Sequence, residues 1–340
     1  MRLILGLKSR IKLLKILLRM KKNKNVRRKA KKNTSPFGFL LLIIFALVIF
    51  LIYYKREEIP DYINYIEETA LFKAESEPEP LAEPEKPSLV HFDKGLEIPL
   101  CGAKNHASDH EVRFFKNYSI CYRESYEQAE WSAYCLSDFQ LEKNASRSND
   151  FRVDPLISTG SANLADYRKS GYDRGHLTPA ADMSFSEDAM SETFFMSNMS
   201  PQTPELNRGV WKDLEAQVRD WVKTFGRAYV VSGPVLNKKA GEFNSIGENQ
   251  VAIPEYYYKV VLVPLYEDEA DRKSMDDAKA VMTIGFVIPN QGCEDNFWRY
   301  AVPVDEVEVL TNLDFFALLE DAEEDKIEAE ANPSKWENTY

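Results

Sequence analysis

The plainest pattern in the chain is an apolar run from Phe37 to Tyr54, 18 residues without a charge. Wound as a helix it spans about 27 Å, close to the hydrocarbon thickness of a bilayer. Lys55 and Arg56 close it, and Tyr53 and Tyr54 stand where an interfacial aromatic belt would lie. The run is long for the core of a cleaved leader and no small-residue cleavage site follows, so a retained anchor is the expectation. Beyond it the periodicities are those of a folded domain. β-like stretches occur around residues 113–115, 119–123 and 129–136. Val210, Leu214, Val218, Trp221 and Val222 recur at helical spacing and predict a helix from Asn207 to Lys223. Strand-like runs follow at 228–232, 256–264 and 281–289, and a last helix is predicted near 304–319. Strands surrounding central helices give an α+β class.

Charge divides the chain in two. Of 43 Lys and Arg, 14 fall in residues 1–54, which hold no Asp or Glu. The remainder carries 29 basic against 54 acidic side chains, a net −25 concealed by the overall −11. A basic segment before an apolar span keeps that end in the cytoplasm. Residues 1–36 are therefore expected to be a basic cytoplasmic segment, in which Arg2 to Met20 fit either a membrane-surface helix or a plain tail. Residues 37–54 would be the transmembrane anchor and 55–91 an acidic spacer rich in Pro and Glu. Residues 92–319 would be the globular domain and 320–340 a frayed acidic tail. This is the organisation of a single-pass membrane protein with its folded domain in the periplasm or outside the cell. Cys101, Cys121, Cys135 and Cys293 would then lie where disulfides persist. Their three pairings stay open, and with no CxxC among them a structural zinc site is not expected.

Four histidines are present, His91, His106, His110 and His176. Only His176 has a patterned setting, Tyr-Asp-Arg-Gly-His, just after a turn at Lys169, Ser170 and Gly171. Imidazole is the side chain best matched to proton transfer near neutrality, although a lone His is more often structural. The helix that follows adds weight. Asn207, Trp211, Glu215 and Arg219 recur every four residues and would share one side of it. Amide and carboxylate oxygens suit Mg²⁺, which keeps several waters, and a guanidinium suits a phosphate. The blander alternative for Glu215 and Arg219 is a surface ion pair.

The stretch YDRGHLTPAADMSFSEDAMSETFFMSNMSPQTPELNRGVWKDLEAQVR, from Tyr172 to Arg219, closely resembles the DNA/RNA non-specific endonucleases, including the endonuclease G-like enzymes of the ββα-metal superfamily. The resemblance rests on DRGH (173–176), SNMSPQ (197–202), Leu206-Asn207, Trp211 and Leu214-Glu215, in order and spacing. It extends more weakly over about residues 92–316, through VSGPV and VPVDEVEVLTNLDFF, and excludes the anchor, spacer and tail. It implies a ββα-metal (His-Me finger) fold with a mixed, mainly antiparallel sheet and flanking helices, here preceded by one transmembrane helix. It implies hydrolysis of phosphodiester bonds in DNA and RNA without sequence readout, leaving 5′-phosphate ends. His176 looks like the general base, and Asn207 like the direct protein ligand of Mg²⁺, for which Mn²⁺ is a substitute. Glu215 resembles a carboxylate acting on the metal through water, Arg219 a phosphate-binding group, and Asn198 an active-site asparagine. An upstream phosphate-contacting arginine corresponds to Arg147, with Arg152 competing. Asp173 and Arg174 would stabilise the loop presenting His176. Kin of this fold often form homodimers.

Loss of activity on the acid side is expected once His176 is protonated. A net −25 sits poorly with nucleic-acid binding, so the expectation is a locally basic cleft, supplied by Arg147, Arg152, Arg168, Lys169, Arg174, Arg208, Lys212 and Arg219, on an acidic body. Two rivals remain: a catalytically weak or inactive surface receptor for nucleic acid, and an adhesion ectodomain, which leaves the whole motif unexplained.

Overall fold

The expected anchor and spacer lie outside the residues that the computed structural model describes, which are 95–101, 109–268, 278–292 and 296–337. Among the described residues no helix is long and apolar enough to cross a membrane. The strands are β1 (Leu100–Cys101), β2 (His110–Phe114), β3 (Ser119–Arg123), β4 (Gln128–Ser137), β5 (Asp173–His176), β6 (Met199–Gln202), β7 (Arg227–Pro234), β8 (Ser245–Ile246), β9 (Val251–Ala252), β10 (Tyr256–Leu265), β11 (Ala280–Pro289), β12 (Ala301–Val302) and β13 (Leu313–Asp314). The α-helices are α1 (Leu164–Tyr167), α2 (Glu187–Glu192), α3 (Pro204–Arg208), α4 (Val210–Phe225), α5 (Val304–Thr311), α6 (Asp321–Glu328) and α7 (Pro333–Glu337).

Seven strands make one sheet in the order β12-β11-β10-β7-β4-β3-β2. Every pairing in it is antiparallel, in keeping with the mainly antiparallel sheet expected. Among the described residues a parallel contact occurs as a bridge between Arg152 and Phe195, outside the sheet. Both faces are covered, which is why β10 and β11 are apolar almost throughout. Along β10, Tyr257, Val261 and Val263 pack beneath α4, while Tyr258, Val260 and Leu262 join Val304 and Val307 of α5 on the other face. Side chains that alternate across a strand feed two cores at once.

The predicted helix from Asn207 to Lys223 is two helices. Gly209 takes φ −104° and ψ −120°, outside the helical range, and separates α3 from α4. A Cβ there would lie 2.5 Å from the carbonyl oxygen of Glu205, so the chain can turn this tightly only at glycine. Past the break Trp211, Leu214, Val218, Trp221 and Val222 bury one stripe of α4 against the sheet. Gly226, at φ 84°, ends it.

The last predicted helix also stops early. Asn312 enters the left-handed region at φ 59° and terminates α5 at Thr311. The segment from Glu320 to Glu337, expected to fray, is ordered into helices. It forms α6 and α7, and Trp336, 1% exposed, packs edge-on against Trp221 of α4 at 4.6 Å. One tryptophan thus outweighs the acidity of its surroundings. Truncating it should cost about 3–5 kcal/mol. Trp336→Ala is therefore expected to shift the urea unfolding midpoint sharply downward, whereas a frayed tail would leave the midpoint unmoved.

Candidate active site

The motif strand β5 pairs with β6 in a two-stranded ribbon, Asp173 opposite Gln202 and His176 opposite Met199. Gly175 brings that ribbon close to the Gln202 side chain. A Cβ at this position would fall 2.3 Å from the Gln202 side chain. His176 stands at the end of β5 between aromatic walls, its ring 4.8 Å from Phe194 and 5.8 Å from Phe151. The guanidinium of Arg147 lies 4.9 Å over Phe194 and that of Arg174 lies 4.0 Å over Phe151. Burial, reinforced by the positive charges of Arg147 and Arg174, pushes the imidazole pKa down to about 3. His176 is therefore neutral, and its buried Nε2 has no hydrogen-bond partner within the protein. Burial and the arginine charges both shift the expected protonation of His176 toward lower pH.

Asn207 is half-buried on α3 and tied back to the ribbon. Its Nδ2 donates to Asp173 Oδ2 at 2.9 Å, which leaves its carbonyl oxygen as the group available to a cation. Asp173 also receives Arg208 in a two-pronged contact at 2.8 and 2.7 Å. Burial alone would raise the Asp173 pKa, but these hydrogen bonds and the charges of Arg208 and Arg174 bring it below the usual range. Asp173 therefore orients Asn207, a role the sequence did not single out.

Glu215, Arg219 and Trp211 lie on α4, past the break at Gly209, so the single stripe expected from their spacing does not form. Trp211 has no exposed surface and belongs to the core. Arg219 does not pair with Glu215 in the manner of a surface i,i+4 bridge. Its Nη1 reaches Asp182 Oδ1 at 2.7 Å, and Asp182 is fixed by Tyr134 Oη at 2.6 Å. Beneath Trp211 sits Lys259 of β10, 0% exposed, with Nζ on Ser232 Oγ and 4.6 Å from the Trp211 ring. Burial raises the Glu215 pKa against the opposing pull of Lys259, Arg219 and Arg147. Burial lowers that of Lys259 against the pull of Glu215 and Asp182. Lys259, Asp182 and Tyr134 escaped the sequence reading. A lysine inside the apolar run YYYKVVLVPL was the available signal, because an uncompensated charge there would be prohibitive.

The two upstream arginines separate cleanly. Arg147 is exposed and its charge acts on both His176 and Glu215. Arg152 is spent locally, with Nη1 on Asp150 Oδ2 at 2.7 Å and on the Ser191 carbonyl at 2.9 Å, and its guanidinium over Phe195. Asn198 has no exposed surface. Its Oδ1 accepts from Thr178 N at 2.9 Å, and its Nδ2 donates to the carbonyls of Thr178 and Thr193 at 3.0 and 2.9 Å. It clamps the turn after His176.

Among the described residues two side-chain groups elsewhere offer cation donors, and neither includes His176 or Asn207: His110, Cys121 and Glu130, and Asp305, Glu308 and Glu328. Chemically the first trio suits Zn²⁺. Both carboxylate oxygens of Glu130 are nevertheless engaged, by His110 Nδ1 at 2.7 Å and Arg123 Nη1 at 2.9 Å, so it stands as an ion-pair network. Cys121 packs on the sheet face away from α4. Beside the motif ribbon a cavity of about 470 Å³ is lined by Leu164, Ala165, Tyr167, Arg168, Tyr172, Asp173 and Arg174.

The sequence model of the DNA/RNA non-specific endonucleases matches residues 99–322 of this chain. The mitochondrial nuclease EXOG of Danio rerio is 36% identical over 221 residues, which are 62% of this chain and 62% of that protein. The chain thus spans about three fifths of that relative. A nuclease of Nostoc sp. is 34% identical over 212 residues, 62% of this chain and 74% of that one. Among solved structures, one of an EndoG/EndoGI complex matches with a TM-score of 0.55 and 32% identity, over 62% of this chain and 88% of that chain.

The depressed pKa of His176 has a thermodynamic signature. The unfolded chain takes up this proton near pH 6.5 and the native protein only near 3. The contribution to stability is therefore complete above pH 6.5 and is lost as pH falls toward 3, by about 1.4 kcal/mol per unit. His176→Leu removes the titration. The stability of the wild type relative to this variant, followed by urea denaturation at pH 7.5 and 4.5, should drop on acidification. A difference independent of pH would rule out the buried neutral imidazole.

Proposed function

This chain belongs to the DNA/RNA non-specific endonuclease family, and from that premise we propose that it is a metal-dependent phosphodiesterase cutting DNA and RNA without sequence readout and leaving 5′-phosphate ends. One observation carries the reading: a neutral imidazole whose Nε2 is unused by the protein, set beside two arginines. A phosphodiester is anionic and repels hydroxide, so the nucleophile has to be made from neutral water at the site. His176 Nε2 accepts a proton from water as the water oxygen attacks phosphorus and the bond to the 3′ oxygen breaks. Arg147 and Arg219 offset the charge that builds on the phosphoryl oxygens. Asp182 and Tyr134 keep the Arg219 guanidinium in place.

The donor set fits Mg²⁺, with Mn²⁺ as a substitute. Asn207 presents an amide oxygen fixed by Asp173, and Glu215 adds a carboxylate that can hold water, the sparse coordination Mg²⁺ prefers. When bound there, the ion supplies Lewis-acid stabilisation of the departing 3′ oxygen. Substrate would track the phosphate-binding side chains alone. Contacts of that kind carry no base information, and Arg168 and Arg174 beside the cavity extend the basic path.

The site would work tethered to a membrane. The uncharged run from Phe37 to Tyr54, preceded by 14 basic residues and no acidic one, supports an anchor with a cytoplasmic N-terminus. Residues 55–91 then hold the nuclease off the surface, in the periplasm or outside the cell.

Plasmid nicking by the detergent-solubilised full chain tests the reading. Cutting should require Mg²⁺ or Mn²⁺ and fall about 10²–10⁴-fold in His176→Ala, with Asn207→Ala demanding more metal for the same rate. Wild-type protein that binds DNA without cutting it would instead be a receptor on a nuclease fold. Neither binding nor cutting would leave the family fold without its chemistry.

A further inference from the structure

A second charged centre lies on the other side of the sheet from His176. Asp305 and Glu308 are three residues apart on α5, whose Val304 and Val307 pack in the core away from α4. Glu328 is the last residue of α6 and only 3% exposed. Carboxylate oxygens of these three side chains lie within 4.8 Å of one another.

This arrangement is unfavourable as it stands. A carboxylate at a helix C-terminus meets the negative end of the helix dipole. Besides burial, the charges acting most strongly on Glu328 are Glu308, Glu324, Asp305 and Asp314, all acidic. Glu328 Oε1 is buried and has no hydrogen-bond partner. A buried carboxyl among like charges persists only with a proton or a cation. The surroundings favour the cation, since the neighbouring carboxylates converge as well. Glu308 Oε1 also accepts from Phe315 N at 2.8 Å.

We infer that Asp305, Glu308 and Glu328 bind one Ca²⁺ ion that fastens α6 to α5. Ca²⁺ takes carboxylate oxygens at about 2.3–2.6 Å in adaptable geometry, so oxygens spread over this distance close around it, whereas Mg²⁺ demands a tighter octahedron. The fastening matters to the whole domain. Ile327 already docks on β11 through Thr283 Oγ1 to its carbonyl at 2.6 Å, and the chain continues into α7, where Trp336 packs against Trp221. This centre shares no residue with the proposed nuclease site, and the inference is independent of that function.

The test uses the full chain in detergent, stripped with EDTA and carrying Asn207→Ala so that the nuclease site takes metal only weakly. Calorimetric titration with CaCl₂ should give one site per chain, and the melting temperature should rise by about 5–10 °C at a hundredfold excess over Kd. Glu328→Gln should abolish both responses while melting higher than its parent without Ca²⁺, because the repulsion is gone. Should Glu328→Gln fail to fold, exposed Asp305→Asn provides the second reading, with Ca²⁺ affinity expected to fall at least tenfold. Absence of heat and of a melting shift in the parent would overturn the proposal in favour of a protonated Glu328. So would an unaltered Ca²⁺ response in the variants, or a full response to Mg²⁺ at the same concentration.

Discussion

The space between α4 and the sheet contains a fully buried lysine, and the position of everything above it follows from how that charge is met. Lys259 projects from the middle of β10 into the layer that also holds Trp211. An ammonium without water is tolerable only with a hydroxyl, an aromatic face and opposite charge close by. Ser232, Trp211 and the carboxylates of Glu215 and Asp182 meet those needs. The helix cannot slide or rotate without breaking this arrangement. Glu215 and Arg219 therefore keep a fixed height over the sheet before any substrate arrives.

The same layer reconciles an acidic protein with an anionic substrate. Overall charge says little about the field at one atom, which is set by the few groups nearest it. At His176 the charges that matter, Arg147 and Arg174, are both positive. Their guanidinium groups lie over the phenyl rings that flank the imidazole, so the same rings hold both the imidazole and the cations. The acidic side chains most distant in kind from this site gather on the α5 and α6 side.

Much of the sheet was legible in sequence. The strand-like runs at 119–123, 256–264 and 281–289 reappear as β3, β10 and β11 because strands covered on both faces must be apolar nearly throughout. DRGH stood out through its resemblance to a known family, and the structure sets it on a ribbon whose glycine packs against the Gln202 side chain. What escaped notice depends on pairs distant in sequence. Asp182 acquires meaning only once Tyr134 and Arg219 converge on it. Trp336 lies in a stretch whose acidity suggests solvent, and its burial follows from a partner more than a hundred residues earlier. Gly209 hid inside a sound helical periodicity, since hydrophobic spacing does not record backbone angles.

That glycine has a mechanical consequence. Because the helix is severed there, Asn207 is carried by the short α3 and tied to Asp173 on the motif ribbon, whereas Glu215 and Arg219 ride on α4 over the sheet. The centre is thus built from two rigid parts meeting at a single backbone unit. Strain arising in the sheet would displace the carboxylate and guanidinium together and leave the amide behind. Damage to the ribbon would do the reverse. Loss of metal affinity and loss of charge compensation thereby become separable faults, each traceable to the part of the molecule where it began.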